Sequence, residues 1–465
     1  MLKRLYHFIL QLLNFTPYLL NRSDSGVAKK KVYSRGQHDV SRRHISSGAL
    51  KVMSRLNQAG YEAYLVGGGV RDLLLGGQPK DFDVATSATP EQVKRLFRGS
   101  RIIGRRFRIV HVRMGREMIE TTTFRAHHSE GNKRNESSQS DSGMLLRDNV
   151  YGDIASDAAR RDFTINALYY TIDGFELHDF CNGLHDIKHR TLRMIGDPAT
   201  RYREDPVRML RALRFAAKLG FSIEAKTASP IGHHGELLRD ISPSRLFDEL
   251  LKLFMAGSAT ATFELLRDYD LLRHLLPSTA QHIEHNKSHL KLIQQTMLNT
   301  DKRIRAEKRV TPAFIFAALL WPAMLAEQKN LVLKKKMSPL QAQTQAAHKV
   351  IADQLAHTAI PKRFTSVMRE IWDLQLRLPR RNGNRAERSF EHPRFRAAYD
   401  FVLLREETGE DLQGLGSWWT KYQETDAEGR AALQQQLTRS GTRNSKKNRR
   451  RAPRKMTDNA AQTHK

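Results

Sequence analysis

Cysteine is almost absent from this 465-residue chain: Cys181 stands alone. A single thiol excludes an intramolecular disulfide framework and a zinc site built from cysteines only. It fits a reducing cytosol, so a cytoplasmic location is expected. A long apolar run is also missing. The stretch from Leu5 to Leu20 is broken by His7, Gln11, Asn14 and Pro17, so it is too short and too polar for the ~20 apolar residues that span a bilayer. No small-residue cleavage site follows it, as one would after a secretory signal. Flanked by Lys3 and Arg4, this stretch could lie as an amphipathic helix on a membrane surface. The plainer expectation is a flexible leader over residues 1–41, since Asn21 to His38 is polar and basic. Acidic residues are the third deficit: 49 Asp and Glu face 78 Lys and Arg, for a formal charge of +29. Such an excess implies a polyanionic partner, nucleic acid before anionic membrane. Acids vanish entirely from residues 439–455, where Arg443, Lys446, Lys447, Arg449, Arg450 and Arg451 are concentrated. A block of this kind repels itself and stays unfolded until an anion neutralises it, so residues 437–465 are expected to be a disordered basic tail.

What is present suffices for more than one core, because 465 residues at 40% hydrophobic content exceed one ordinary domain. From Tyr61 to Thr121 the apolar period alternates between 2 and 3.6, which predicts a compact α+β unit. Strands are expected at Tyr64–Val66 and Asp81–Val84, with a helix from Val70 to Leu75 closed by Gly76-Gly77. Thr89-Pro90-Glu91-Gln92 carries a threonine cap, a proline at the first helical position and a glutamine placed to complete a capping box. Ile109–Val112 and Met118–Thr121 should pair antiparallel around Gly115, putting Glu120 beside the strand of Asp81. Residues 128–142 are polar and aperiodic and predict a mobile insert. After about Leu192 strand signals fade and helix starts recur, as at Asp205-Pro206 and Ser242-Pro243. The expected division is a head over residues 42–190, a helical neck over 191–260 and a helical body and leg over 261–436.

The chemistry is concentrated in the head. Gly67-Gly68-Gly69 precedes Arg71, and a short apolar run then leads to Asp81-Phe82-Asp83. Glycines let a backbone approach phosphates without a Cβ clash, and a helix start offers free N–H groups. Carboxylates at i and i+2 of a strand share a face and can converge on paired divalent ions. Glu120, on a neighbouring strand, is a candidate third ligand. Such a set of oxygens suits Mg²⁺, with Mn²⁺ as an alternative. Arg161 can reach a triphosphate, while Asp162 can cap a helix, hold an arginine or join the active centre. Beyond the Asp205 cap, Arg208, Arg211 and Arg214 recur every three residues among apolar neighbours, a half-buried stripe suited to triphosphate or base contacts. Farther on, Arg377, Arg380, Arg381, Arg385 and Arg388 cluster near Trp372 and Phe390, a pattern that can grip phosphates and stack bases.

The stretches Leu65–Asp72, Pro79–Val84, Arg160–Leu168 and Arg203–Phe215 resemble the class II nucleotidyltransferases, the family of CCA-adding enzymes and bacterial poly(A) polymerases. Arg43–Ser46, Leu146–Gly152, Ile360–Thr365 and Glu391–Asp400 are similar to the poly(A) polymerase branch. The resemblance runs from Arg42 to Trp419. It implies a polymerase-β-like head followed by all-α neck, body and leg regions. By similarity, Asp81 and Asp83 bind two catalytic metal ions; Gly67, Gly68, Arg71, Arg161, Arg208 and Arg211 contact ATP; Asp162 belongs to the active centre; and the pocket around Asp205 selects adenine. The implied activity is template-independent transfer of AMP from ATP to RNA 3′ ends with release of pyrophosphate, in support of RNA turnover; a CCA-adding enzyme is the alternative. Implied partners are mRNA, small RNA, tRNA precursors and RNA-decay factors, with the chain a monomer. Two departures stand out: Asn182-Gly183 replaces a glycine pair, and Thr121 replaces an apolar neighbour of Glu120.

Overall fold

A computed structural model describes residues 30–104, 108–126 and 150–437, together with the backbone of two short paired strands, Ser137–Gln139 and Leu145–Asp148. The chain divides once into compact units, between Glu204 and Asp205.

The first unit begins earlier than expected. Lys31–Tyr33 forms β1, so the structured head starts inside the segment read as a leader. The helix α1 (Ser47–Gln58) follows, capped by Ser46, whose hydroxyl accepts from the Ala49 amide. Then come β2 (Ala63–Val66), α2 (Gly68–Leu74), β3 (Asp83–Thr86) and α3 (Pro90–Leu96). The reciprocal box of Thr89 and Gln92 forms at the start of α3 as its sequence requires. Strands β4 (Ser100–Ile103), β5 (Ile109–Met114) and β6 (Glu117–Thr123) precede α4 (Ile154–Arg160), β7 (Leu168–Tyr170) and β8 (Leu177–Asp179). The unit closes with α5 (Gly183–Lys188) and α6 (Pro198–Glu204), so the head extends past residue 190.

All eight named strands form one mixed sheet in the order β1-β8-β7-β2-β3-β6-β5-β4. The parallel pair β3–β6 places Asp83 opposite Glu120, and the antiparallel pair β2–β3 places Val66 opposite Asp83. Paired residues share a face. The face of Asp83 therefore carries Tyr64, Val66, Ala85 and Tyr169, which pack with Phe124, Phe180 and Ala158 of α4 into one buried cluster. Leu65, Val84 and Tyr170 point the other way. At Asn182 the backbone is left-handed, φ 59° and ψ 30°, which explains why asparagine serves there. Gly183 has no such freedom of replacement: a Cβ would meet the Thr164 carbonyl oxygen at 2.2 Å.

Among its described residues the second unit is helical, apart from a two-residue strand, Ser222–Ile223. It opens with α7 (Val207–Leu219), which ends at Gly220 in the left-handed conformation. Helix Pro312–Lys335 buries twelve residues between Ala313 and Leu331, including Phe316 and Trp321, and packs against the helices Pro339–Leu355 and Lys362–Arg377. A helix apolar on most sides belongs in a core. No helix among the described residues is long and apolar enough to cross a membrane.

Candidate active site

The glycine turn is shaped by its position between β2 and α2. Gly67 adopts φ 76° and ψ −139°, a conformation that side chains with a Cβ avoid. A Cβ there would lie 3.5 Å from Asp83 Oδ2 and 3.7 Å from Arg161 Nη1, so the turn, the carboxylate and the guanidinium meet at one point. At Gly69 a Cβ would meet Phe82 at 3.3 Å and the Asp81 carbonyl oxygen at 3.5 Å. Phe82 is buried, and it holds Asp81 and Asp83 to the start of α2.

The strand of the carboxylates begins at Asp83 rather than Asp81. Its partner β2 ends at Val66, where Gly67 turns the chain away, so Asp81 has nothing to pair with. Asp81 is exposed and Asp83 is half-buried. No described residue donates a hydrogen bond to either side chain. Burial first, then the charges of Glu120 and Asp81, together push the Asp83 carboxyl up to about 6 against the opposing pull of Arg161. A carboxylate so placed favours a positive charge beside it.

Glu120 departs from expectation in one respect. It faces Asp83 across the parallel register, but its carboxylate lies 3.3 Å from His111 Nε2 and is half exposed. Among the described residues no three His, Cys, Asp or Glu side chains form a group that could hold a metal ion. Asp81, Asp83 and Glu120 are thus neighbours in charge but not an assembled three-ligand cage. Asp81 and Asp83 still fit a hard divalent cation, being unpartnered oxygen donors at the mouth of a phosphate-sized turn, with substrate oxygens and water to complete the shell.

Arg71 and Arg161 are held firmly. Arg71 is 3% exposed; its Nε and Nη2 donate to Asp72 Oδ1 at 2.8 and 2.6 Å, and its Nη1 donates to Asn166 Oδ1 at 2.7 Å. Asn166 in turn donates to Asp162 Oδ1 at 3.2 Å, and the same oxygen accepts from the Phe163 amide at 2.8 Å. Asp162 therefore braces the turn that begins at Phe163 and, through Asn166, the helix carrying Arg71. Arg161 donates to Asp157 Oδ2 through Nε and Nη2 at 3.2 and 3.0 Å and to Tyr169 Oη at 2.9 Å, while Tyr169 donates to Asp157 Oδ2 at 2.6 Å. Asp157, Tyr169, Asn166 and Asp72 escaped the sequence reading. The Asp157–Arg161 spacing of i and i+4 was the available signal; Tyr169 offered none, since its partner is set by the sheet.

Asp205, Arg208 and Arg211 belong to the second unit. The Asp205 side chain does not cap α7; it accepts twice from Arg245 Nη2, at 2.9 and 3.0 Å, and Pro206 occupies the cap position. Arg208, Arg211 and Arg214 are half-buried along α7, and Arg211 and Arg214 lie over the Phe215 ring at 5.5 and 4.8 Å. In the candidate RNA region Arg377, Arg380, Arg385 and Arg388 are exposed, and Arg381 covers Trp418 at 5.0 Å. Trp372 is no base platform: it is fully buried and donates through Nε1 to the Ala317 carbonyl at 3.1 Å. Amphipathic helix Lys362–Arg377 turns this ring inward and Arg377 outward. Phe390 is covered by Arg430 at 4.3 Å. The insert at 128–142, apart from the backbone of Ser137–Gln139, and the tail residues Lys446, Lys447, Arg449, Arg450 and Arg451 lie outside the described residues. Cys181 is buried, and its thiol is pushed up to about 12 by that burial and by Asp179, which leaves it unreactive.

Known proteins match along most of the chain. Residues 63–193 match the family described as "Poly A polymerase head domain", residues 220–283 "Probable RNA and SrmB- binding site of polymerase A", and residues 335–456 "Polymerase A arginine-rich C-terminus". A poly(A) polymerase I of Escherichia coli O6:H1 is 48% identical over 456 residues, 95% of this chain and 98% of that one. A poly(A) polymerase I of Haemophilus influenzae is 44% identical over 436 residues, 93% and 96% of the two chains. Similarity to a CCA-adding enzyme of Levilactobacillus brevis, 43% over 211 residues, spans 45% of this chain and 50% of the other. The solved apo form II of a CCA-adding enzyme shares the fold, with a TM-score of 0.58 at 19% identity over 84% of this chain and 87% of that one.

Proposed function

Because the chain belongs to the poly(A) polymerase I family of nucleotidyltransferases, we propose that it transfers AMP from ATP to RNA 3′ ends without a template and releases pyrophosphate. The observation that carries this reading is similarity sustained over 95% of the chain, arginine-rich C-terminal region included, where the CCA-adding relative stops near half.

The backbone at Gly67 and Gly68 admits the triphosphate where α2 begins. Arg161, fixed by Asp157 and Tyr169, directs Nη1 toward that turn and supplies positive charge to it. Asp81 and Asp83 would hold Mg²⁺, or Mn²⁺ in its place, with Glu120 adding negative charge alongside. When bound, two such ions lower the pKa of the attacking ribose hydroxyl and neutralise charge on the departing pyrophosphate. Arg71 keeps α2 in register with the turn through Asn166, and Asp162 positions that asparagine. Asp205, oriented by Arg245, would select the base, and Arg208 and Arg211 would bind the nucleotide. RNA would be gripped by Arg377, Arg380, Arg381 and Arg385 and by the basic tail. The chain acts as a cytoplasmic monomer on mRNA, small RNA and tRNA precursors and hands tailed products to RNA-decay factors.

The test supplies ATP or CTP with a generic RNA and Mg²⁺. Long A-tracts are expected, with none from Asp81→Ala or Asp83→Ala. Addition of C then A confined to truncated tRNA would favour the CCA-adding alternative, and unextended termini with every triphosphate would reject both.

A further inference from the structure

Away from the catalytic carboxylates the head carries a second basic feature. A cleft of about 630 Å³ is lined by Arg35, Arg42 and Arg43, with His38, Tyr170 and Phe175 as its rings. A depression of about 470 Å³ shares Arg42 and Leu50 with it and adds Lys51 and Arg55 from α1. The register fixes where this groove lies. Tyr169 pairs with Val66 on the face of Asp83, whereas Tyr170 pairs with Leu65 and points to the opposite face.

Arg35, Arg42, Arg43, Lys51 and Arg55 are all exposed, and none forms a salt bridge with a described residue. Arg71 and Arg161, on the catalytic side, are by contrast tied to carboxylates. One acid, Asp39, lines the groove against these five cations. Lys51 and Arg55 stand one helical turn apart on α1, so their charges repel unless an anion lies across them. Arg35 rests over the Phe175 ring at 5.2 Å and Arg55 over Phe97 at 5.3 Å. Tyr170 and Phe97 are buried, so the groove offers charge and no stacking platform; cations strung along it suit the spaced phosphates of a single nucleic-acid strand better than a compact anion, which would need them convergent.

The geometry points to this groove as a second RNA site, holding the phosphates of a single-stranded segment distant from the reacting 3′ end. The inference rests on RNA being the substrate, but its test does not depend on catalysis. Full-length protein and an Arg42→Ala/Arg43→Ala/Lys51→Ala variant are titrated with fluorescent RNAs of about 6 and about 30 nucleotides at several salt concentrations. Losing three phosphate contacts makes the salt slope of the longer RNA shallower by about 2, at about 0.7 per contact on a single strand. Its affinity falls about tenfold at moderate salt, and its KM in tailing rises while kcat holds. Binding of the short RNA and of inorganic triphosphate stays unchanged. Asp39→Asn tightens binding of the longer RNA, a gain that misfolding does not produce. The same binding titrations in an Asp83→Ala background, where tailing is lost, keep the groove's contribution. An unchanged salt slope, equal losses for both RNAs, or lost triphosphate binding with RNA binding intact would overturn the assignment. Any of these would leave the polymerase reading standing.

Discussion

Replacing Asp83 with asparagine should make the metal-free head more stable and the enzyme inactive. The Asp83 carboxyl rises from 3.8 to about 6 in the folded chain, so near neutral pH its ionised form is disfavoured by about 2 pH units, or about 3 kcal/mol. The fold binds the proton more tightly than the unfolded chain does. The cost is therefore absent below pH 3.8, grows between there and about 6, and is complete above. An asparagine side chain has the same shape without the charge. Calorimetry of the full-length protein in chelator at pH 8 should show the head transition of Asp83→Asn higher by up to about 3 kcal/mol, or roughly 6 to 12 °C for a unit of this size. The gap should close as pH approaches 4. Adding Mg²⁺ and a non-hydrolysable ATP analogue should reverse the order, stabilising the parent and not the variant. If Asp83→Asn is no more stable than the parent in chelator at pH 8, or if the difference persists unchanged at pH 4, burial of the Asp83 charge, aggravated by Glu120 and Asp81, is not what burdens this strand.

Asp157→Ala should leave half-buried Arg161 beside Tyr169 without its counter-charge and lower head stability by about 2–3 kcal/mol, measured by urea unfolding. Arg245→Ala should free Asp205 from its clamp and reduce the ATP-over-CTP ratio of kcat/KM by about tenfold while leaving thermal stability nearly constant. Deleting residues 439–465 should weaken RNA binding and flatten its salt dependence with the chemical step preserved; equal binding at several salt concentrations would contradict that role.

Much of the head was legible because its signals are local. Thr89, Pro90 and Gln92 specify a helix start by themselves, and the β5–β6 hairpin around Gly115 put Glu120 next to the aspartate strand as alternation suggested. What stayed hidden depended on partners remote in sequence. Lys31–Tyr33 is too short to show a period and becomes a strand only because β8 offers an edge. Asp205 looked like a cap, but Arg245, forty residues on, claims its carboxylate. Trp372 sits among arginines, and only the face it occupies on its helix sends it into the core. The same limit applies to Glu120: pairing fixes its neighbours, but not the direction its carboxylate takes toward His111.

Both ends of the segment 127–149 are stitched together by main-chain bonds that ignore its sequence. The Ala126 amide donates to the Val150 carbonyl at 2.9 Å, the Gly152 amide to that of Phe124 at 2.9 Å, and Arg160 clasps the Ala126 carbonyl. Entry and exit are thus a closed neck, and doubling the length between them adds only about 0.6 kcal/mol of closure entropy. This gives the head a port where evolution, or an engineer, can splice in a foreign peptide, an affinity handle or a small reporter domain while the strands bearing Asp83 and Glu120 keep their alignment.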